Sequence, residues 1–210
     1  MKLKKELRDG HFRVAIFGSA RMKKSDPDYY EVQKLAKSLA REEIDVITGG
    51  GPGLMDAASK GHHTGRKGKK VHSIGLSIKL PFEKVDSYHL DVKKEFPKFS
   101  KRLDTFMKLS NIVVVAPGGI GTILEFFYTW QLMQVKHICS TPIILLGDMW
   151  PGLIRWIKKE PLKRKLLNKE DIELVYRVKN YREAMKIVKE AHKEFQKGGK
   201  NFCLNYKKYK

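Results

Sequence analysis

The sequence predicts an α/β fold with a mainly parallel sheet sandwiched between helices. Three observations carry that reading: apolar runs too continuous to belong to a half-exposed sheet, helical patterns alternating with them, and glycine-rich turns placed directly after strands. A chain of 210 residues with 41% hydrophobic composition is long enough for one such domain and short for two.

In chain order, strands are predicted at Arg13–Gly18, Ile44–Thr48, Val71–Ile78, Ile112–Ala116 and Pro142–Leu146, with a weaker one at Ile172–Val175. Each is rich in β-branched residues and lacks strict alternation, as strands buried on both faces do. Helices are predicted between them at Tyr29–Arg41, Leu54–Thr64, Lys93–Leu109, Thr122–Gln134, Leu153–Lys158 and Tyr181–Phe195. Right-handed βαβ crossovers wind such a succession into a Rossmann-like three-layer sandwich. We expect a tail over 1–12, one Rossmann-like domain over 13–195 and a basic tail over 196–210.

Composition narrows the function. No apolar run of 18 residues is present and the charged opening lacks the apolar stretch of a secretory signal, so a cytoplasmic protein without a membrane span is expected. Cys139 and Cys203 have no CxxC spacing. The histidines at 62, 63, 72, 89, 137 and 192 lack metal-ligand spacing and His11 is terminal, so no metal is expected. The net charge of +20 is uneven: residues 155–210 hold 18 basic and 7 acidic side chains. A solvated lysine-rich surface accounts for it, with only weak, nonspecific binding to nucleic acid.

Chemistry is expected at the strand ends. The first strand ends in Gly18-Ser19, the second in Gly49, Gly50 and Gly51, and the fourth in Pro117-Gly118-Gly119-Ile120-Gly121-Thr122. In an open parallel sheet these turns converge on one crevice, and a helix starting behind a glycine turn offers bare N–H groups to a phosphate. The turns contain no GxxxxGK[ST], and Leu124 replaces the third glycine of a dinucleotide fingerprint. No acid follows at the ribose-binding distance, since residues 126–147 and 57–82 hold none. ATPase loops and NAD are therefore disfavoured, and no cofactor is expected.

GGGPGLMDAA (49–58), PGGIGTILE (117–125), FGSAR (17–21), LPFE (80–83) and Arg102, fifteen residues before Pro117, together resemble the Lonely Guy family of nucleoside 5′-monophosphate phosphoribohydrolases. The likeness spans roughly 13–178. It implies hydrolysis of AMP or cytokinin-type AMP to free base and ribose 5-phosphate, without pyridoxal phosphate. It places catalysis on Arg102 and Glu125, and phosphate binding on Gly118, Gly119, Gly121 and Thr122. Leu103 stands where the family has lysine, Leu124 where it has an acid, and SIKLPFE where NIELPFE is common; substrate preference is where these differences bear.

Each candidate has a plainer reading. Thr122-x-x-Glu125 is also a capping box that would only stabilise the helix start. Against it, a carboxylate one turn into a phosphate-binding helix is suited to stabilising an oxocarbenium-like sugar or orienting water. Arg102 is expected to grip ribose or phosphate and to hold Glu125 ionised. Glu83 is either a loop residue or, on the resemblance, a substrate contact. Gln134 either bonds the base or sits on the helix surface. Surplus apolar residues on the helix after Thr122 point to a homodimer or higher assembly. The alternative function is a non-catalytic nucleotide- or single-stranded nucleic-acid-binding module, favoured by Tyr181, Phe195, Phe202, Tyr206 and Tyr209 among basic residues.

Overall fold

A computed structural model describes residues 10–66, 68, 71–78, 89–138 and 141–198. All of LPFE (80–83) including Glu83, Cys139, Cys203 and the aromatic residues at 202, 206 and 209 lie outside the described residues.

Among the described residues, seven strands form one sheet: β1 (Arg13–Phe17), β2 (Asp45–Thr48), β3 (Ser73–Ile78), β4 (Val92–Phe96), β5 (Ile112–Val115), β6 (Ile143–Leu146) and β7 (Val175–Val178). Their order is β4-β3-β2-β1-β5-β6-β7, and every pairing is parallel. The chain walks outward from β1 to β4 and then returns across three strands to pair β5 with β1. That reversal is the topological switch of a doubly wound sheet, where strand ends splay and leave a crevice.

Among the described residues, seven α-helices cover the sheet: α1 (Pro27–Arg41), α2 (Leu54–Gly65), α3 (Phe99–Leu109), α4 (Ile120–Gln134), α5 (Pro151–Ile157), α6 (Lys169–Glu173) and α7 (Tyr181–Gln196). Period-2 alternation divides the strands between two cores. Val14, Ile16, Ile112, Val114 and Ile144 pack with α1, α2 and α7. Ala15, Phe17, Val113, Val115 and Ile143 pack with α3, α4 and α5. Both clusters are nearly closed to solvent, which is why the strands read as unbroken apolar runs.

Three expectations are corrected. The helix predicted over Lys93–Leu109 is a strand, β4, followed by α3. Val92-Lys93-Lys94-Glu95-Phe96 buries only its two end residues, and an edge strand with one hydrogen-bonded neighbour tolerates such charges. Pro97 then holds Phe96 extended. The last strand lies at Val175–Val178, not Ile172–Val175, because Asn168 and Asp171 form a capping box that folds the preceding residues as α6. Finally, α5 begins at Pro151 and runs into a π-helical turn, Lys158–Leu162, that contains Pro161. Among the described residues no helix is long and apolar enough to cross a membrane.

Candidate active site

The turns after β1, β2 and β5 are joined by backbone hydrogen bonds. Ser19 N–H donates to Pro117 O at 3.0 Å, and Ser19 O accepts from Leu54 N–H at 2.9 Å. Ala116 N–H donates to Phe17 O at 2.8 Å. These bonds make the carboxyl edge at the switch point one rigid rim around a cavity of about 540 Å³. Gly18, Ser19, Gly49, Gly51, Arg102, Gly119, Gly121, Thr122 and Glu125 all line it.

One wall is the start of α4. Its N-cap is Gly119, no side chain caps it and no acid lies in its first turn, so the first N–H groups and the positive helix end face the cavity. In α2, by contrast, Asp56 lies in the first turn and accepts from Tyr29 Oη at 2.9 Å, which partly neutralises that helix end. A Cβ added at Gly119 or Gly121 would meet nothing within 4 Å, whereas one at Gly118 would overlap the Thr122 side chain. Packing therefore requires glycine at 118 alone of the three, and the bare backbone at 119 and 121 opens onto the space a ligand would take.

The same helix carries one half of a buried ion pair. Arg102, from α3, donates through Nε to Leu76 O at 2.6 Å, and its Nη1 lies 3.3 Å from Glu125 Oε1. Both side chains are about nine-tenths buried. The guanidinium also covers the Phe106 ring, 5.2 Å from its centroid. A Cβ on Gly49 would stand 2.6 Å from Arg102 Nη2, so glycine there makes room for the arginine. Burial raises the Glu125 carboxyl from its ordinary 4.5 to about 7, with Arg102 pulling the other way. The expectation that arginine holds this acid ionised is thus corrected: desolvation outweighs the pairing, and the group titrates at neutrality.

Glu125 is no part of a cap. α4 starts at Ile120, two residues before Thr122, so Thr122 is inside the first turn and Glu125 faces the cavity from the next. Gly50, with φ of 78°, turns toward Gly75 and Leu90 and away from the cavity lining. Gln134 lies at the far end of α4, where its amide donates to Asp171 Oδ2 at 3.1 Å; the fold does not bring it to the crevice. Sequence reasoning missed Arg21, Met55, Glu95 and Phe99, which line the same cavity. Glu95 could have been found only by recognising β4. Of the aromatic residues set among basic ones, Tyr181 and Phe195 pack against the core beside α1 and β1.

The fold and this site define a class: doubly wound α/β proteins with a glycine-lined crevice at the switch point and a buried arginine–glutamate pair beside it. Within it, the chain belongs to the family described as "Possible lysine decarboxylase", which matches residues 55–188 and is the LOG family anticipated above. It is 26% identical over 134 residues to the Pyrimidine/purine nucleotide 5′-monophosphate nucleosidase of Escherichia coli (strain K12), covering 59% of this chain and 28% of that protein. It is 36% identical over 114 residues to the Probable cytokinin riboside 5′-monophosphate phosphoribohydrolase LOG4 of Oryza sativa subsp. japonica, covering 54% and 48%. The chain thus spans less than half the length of each of these relatives. In fold it is similar to the molybdenum cofactor carrier protein of Chlamydomonas reinhardtii, with a TM-score of 0.65, 21% identity and coverage of 87% and 99%. It is also similar to DNA processing protein A of Helicobacter pylori, with a TM-score of 0.54, 16% identity and coverage of 89% and 83%.

Proposed function

We propose that the chain hydrolyses the N-glycosidic bond of a nucleoside 5′-monophosphate, AMP or an N6-modified AMP, releasing free base and ribose 5-phosphate. The observation that carries this reading is that the buried Arg102–Glu125 pair and the uncapped start of α4 line one nucleotide-sized cavity. The names of the bacterial and rice relatives, both of which refer to nucleoside 5′-monophosphates, support it.

In this mechanism the first-turn N–H groups of α4 and the Thr122 hydroxyl hold the 5′-phosphate, which sets the sugar over Glu125. The C1′–N bond breaks through an oxocarbenium-like state, and its electron pair leaves with the base, which is protonated as it departs. Glu125, as carboxylate, stabilises the positive sugar and accepts a proton from the water that forms the new C1′–O bond. A group titrating near 7 is half ionised there, which suits proton transfer at neutral pH. Arg102 opposes the burial that would otherwise keep the acid protonated. The working unit is a homodimer, in which a second chain covers the apolar outer face of α4.

The test is incubation of the protein with a panel of nucleoside monophosphates and resolution of the free bases by chromatography. AMP should yield adenine and ribose 5-phosphate while adenosine is left almost untouched, because binding of the phosphate positions the sugar. Equal turnover of adenosine would contradict the assignment of α4 as the phosphate cradle.

A further inference from the structure

We propose that His11, Asp45 and His72 form a binding site for a divalent transition-metal ion, at the end of the sheet opposite the crevice. Each of these residues offers one ligand atom, and the three atoms lie within 4.8 Å of one another. His11 Nδ1 is 3.0 Å from Asp45 Oδ2. The two imidazole planes are 3° from parallel, with centroids 6.0 Å apart. An ion bonded at about 2.0–2.2 Å holds donors no more than about 4 Å apart, so side-chain adjustments under about 1 Å complete the set.

The sheet itself assembles these ligands. Arg13 is in register with Asp45, and Val46 with Ser73, so His11 just before β1, Asp45 heading β2 and His72 just before β3 come from three neighbouring strands. Asp45 N–H donates to Phe12 O at 3.1 Å, and His72 N–H donates to Asp45 Oδ1 at 2.8 Å. Such outer hydrogen bonds fix a ligating carboxylate in place. Asp45 is buried, yet the site is reachable, because His11 lines a cavity of about 800 Å³ together with Phe12, Val71 and His192.

The neighbouring charge selects the ion. Arg13 Nε lies 3.6 Å from Asp45 Oδ2, so the carboxylate is already partly neutralised and a hard cation gains little from it. Two imidazoles with one carboxylate favour zinc, nickel or copper over magnesium or calcium. The ligands lie 34 and 27 positions apart along the chain, far beyond the spacing of a linear metal motif. A bound ion would pin the segment before β1 onto β2 and β3, independently of any reaction in the crevice.

The test uses the full chain, stripped with a chelator and titrated with zinc by calorimetry, with cobalt absorption reporting the coordination. One zinc per chain is expected, at a dissociation constant of about 10 µM or below, with a rise in melting temperature under saturating zinc. His11→Ala should weaken binding at least about tenfold and abolish that rise. His63→Ala, in the tilted pair with His89, should leave both unchanged. Half-exposed His11 can be truncated without opening the core, so this variant decides the matter even if His72→Ala fails to fold. Absence of binding at 100 µM zinc by about that order of affinity, or binding undiminished in folded His11→Ala, would overturn the proposal.

Discussion

Glu125 sets function against stability within one side chain. Its folded-state titration point, about 7, is above the ordinary 4.5, so the folded protein holds a proton that the unfolded chain gives up. Its contribution is therefore full below about pH 4.5 and is lost as pH rises through 7, a change on the order of 3 kcal/mol. Glu125→Gln should consequently melt higher than the parent at pH 8, while losing at least about 100-fold in turnover. A lower melting point at pH 8 would refute the buried-acid account. His62 works in the opposite sense: burial lowers it to about 4, so its contribution is present above 6.5 and is lost on acidification. At Gly49, a new Cβ would press on Met55 Sδ and Arg102 Nη2, the ends of flexible side chains. Gly49→Ala should thus fold but displace the guanidinium from Glu125, with a loss in kcat on the order of 100-fold.

In the proposed function, helix α4 is the element that receives the phosphate. A Cβ at Gly121 meets no protein atom, and glycine in a helix costs about 1 kcal/mol relative to alanine. Gly121→Ala should therefore raise thermal stability while raising the KM for AMP, a split visible by pairing calorimetry with steady-state kinetics; unchanged KM would place the phosphate elsewhere. The glycine turns were legible in the sequence because local spacing fixes them to strand ends and helix starts, whereas Arg102 and Glu125 were singled out by the family resemblance, since a base in mid-helix and an acid three residues after a threonine are ordinary by themselves. β4 was not, since Lys93, Lys94 and Glu95 carry the polarity of a helix surface, and only their place at the sheet edge makes a strand of them. The apparent capping box failed for a related reason: spacing identifies a cap only if the helix begins at that residue, and here the backbone enters α4 at Gly119. Gln134 was misjudged because the helix carries it past Glu125, the last residue of α4 on the crevice, by roughly 14 Å at the usual rise per residue.

At the scale of the whole molecule, the outer face of α4 is unusually apolar. Leu124, Phe127, Trp156 and Leu166 are exposed around a cavity of about 420 Å³, more than a lone chain leaves open without purpose. Light scattering should give twice 24.3 kDa, and Phe127→Glu should shift the population toward the single-chain mass. A fully active species of 24.3 kDa at micromolar concentration would contradict the dimer. The positive charge makes a separate prediction. Retention on single-stranded DNA should fall steeply with salt, reflecting counterion release, and added DNA should leave AMP turnover unaltered.

The pairing of β1 with β5 also bears on how the molecule comes into being. Arg13 N–H donates to Asn111 Oδ1, 98 residues away, whereas β1 meets β2 after a single helix. Such distant closures are slow to form. A nascent or refolding chain can therefore lay down β1 to β4 while the crevice still lacks α4 and Glu125. If the crevice binds nucleotide as proposed, that competence should arrive only with the final zipping of the two halves, and recovery of binding should lag behind recovery of helical signal during refolding.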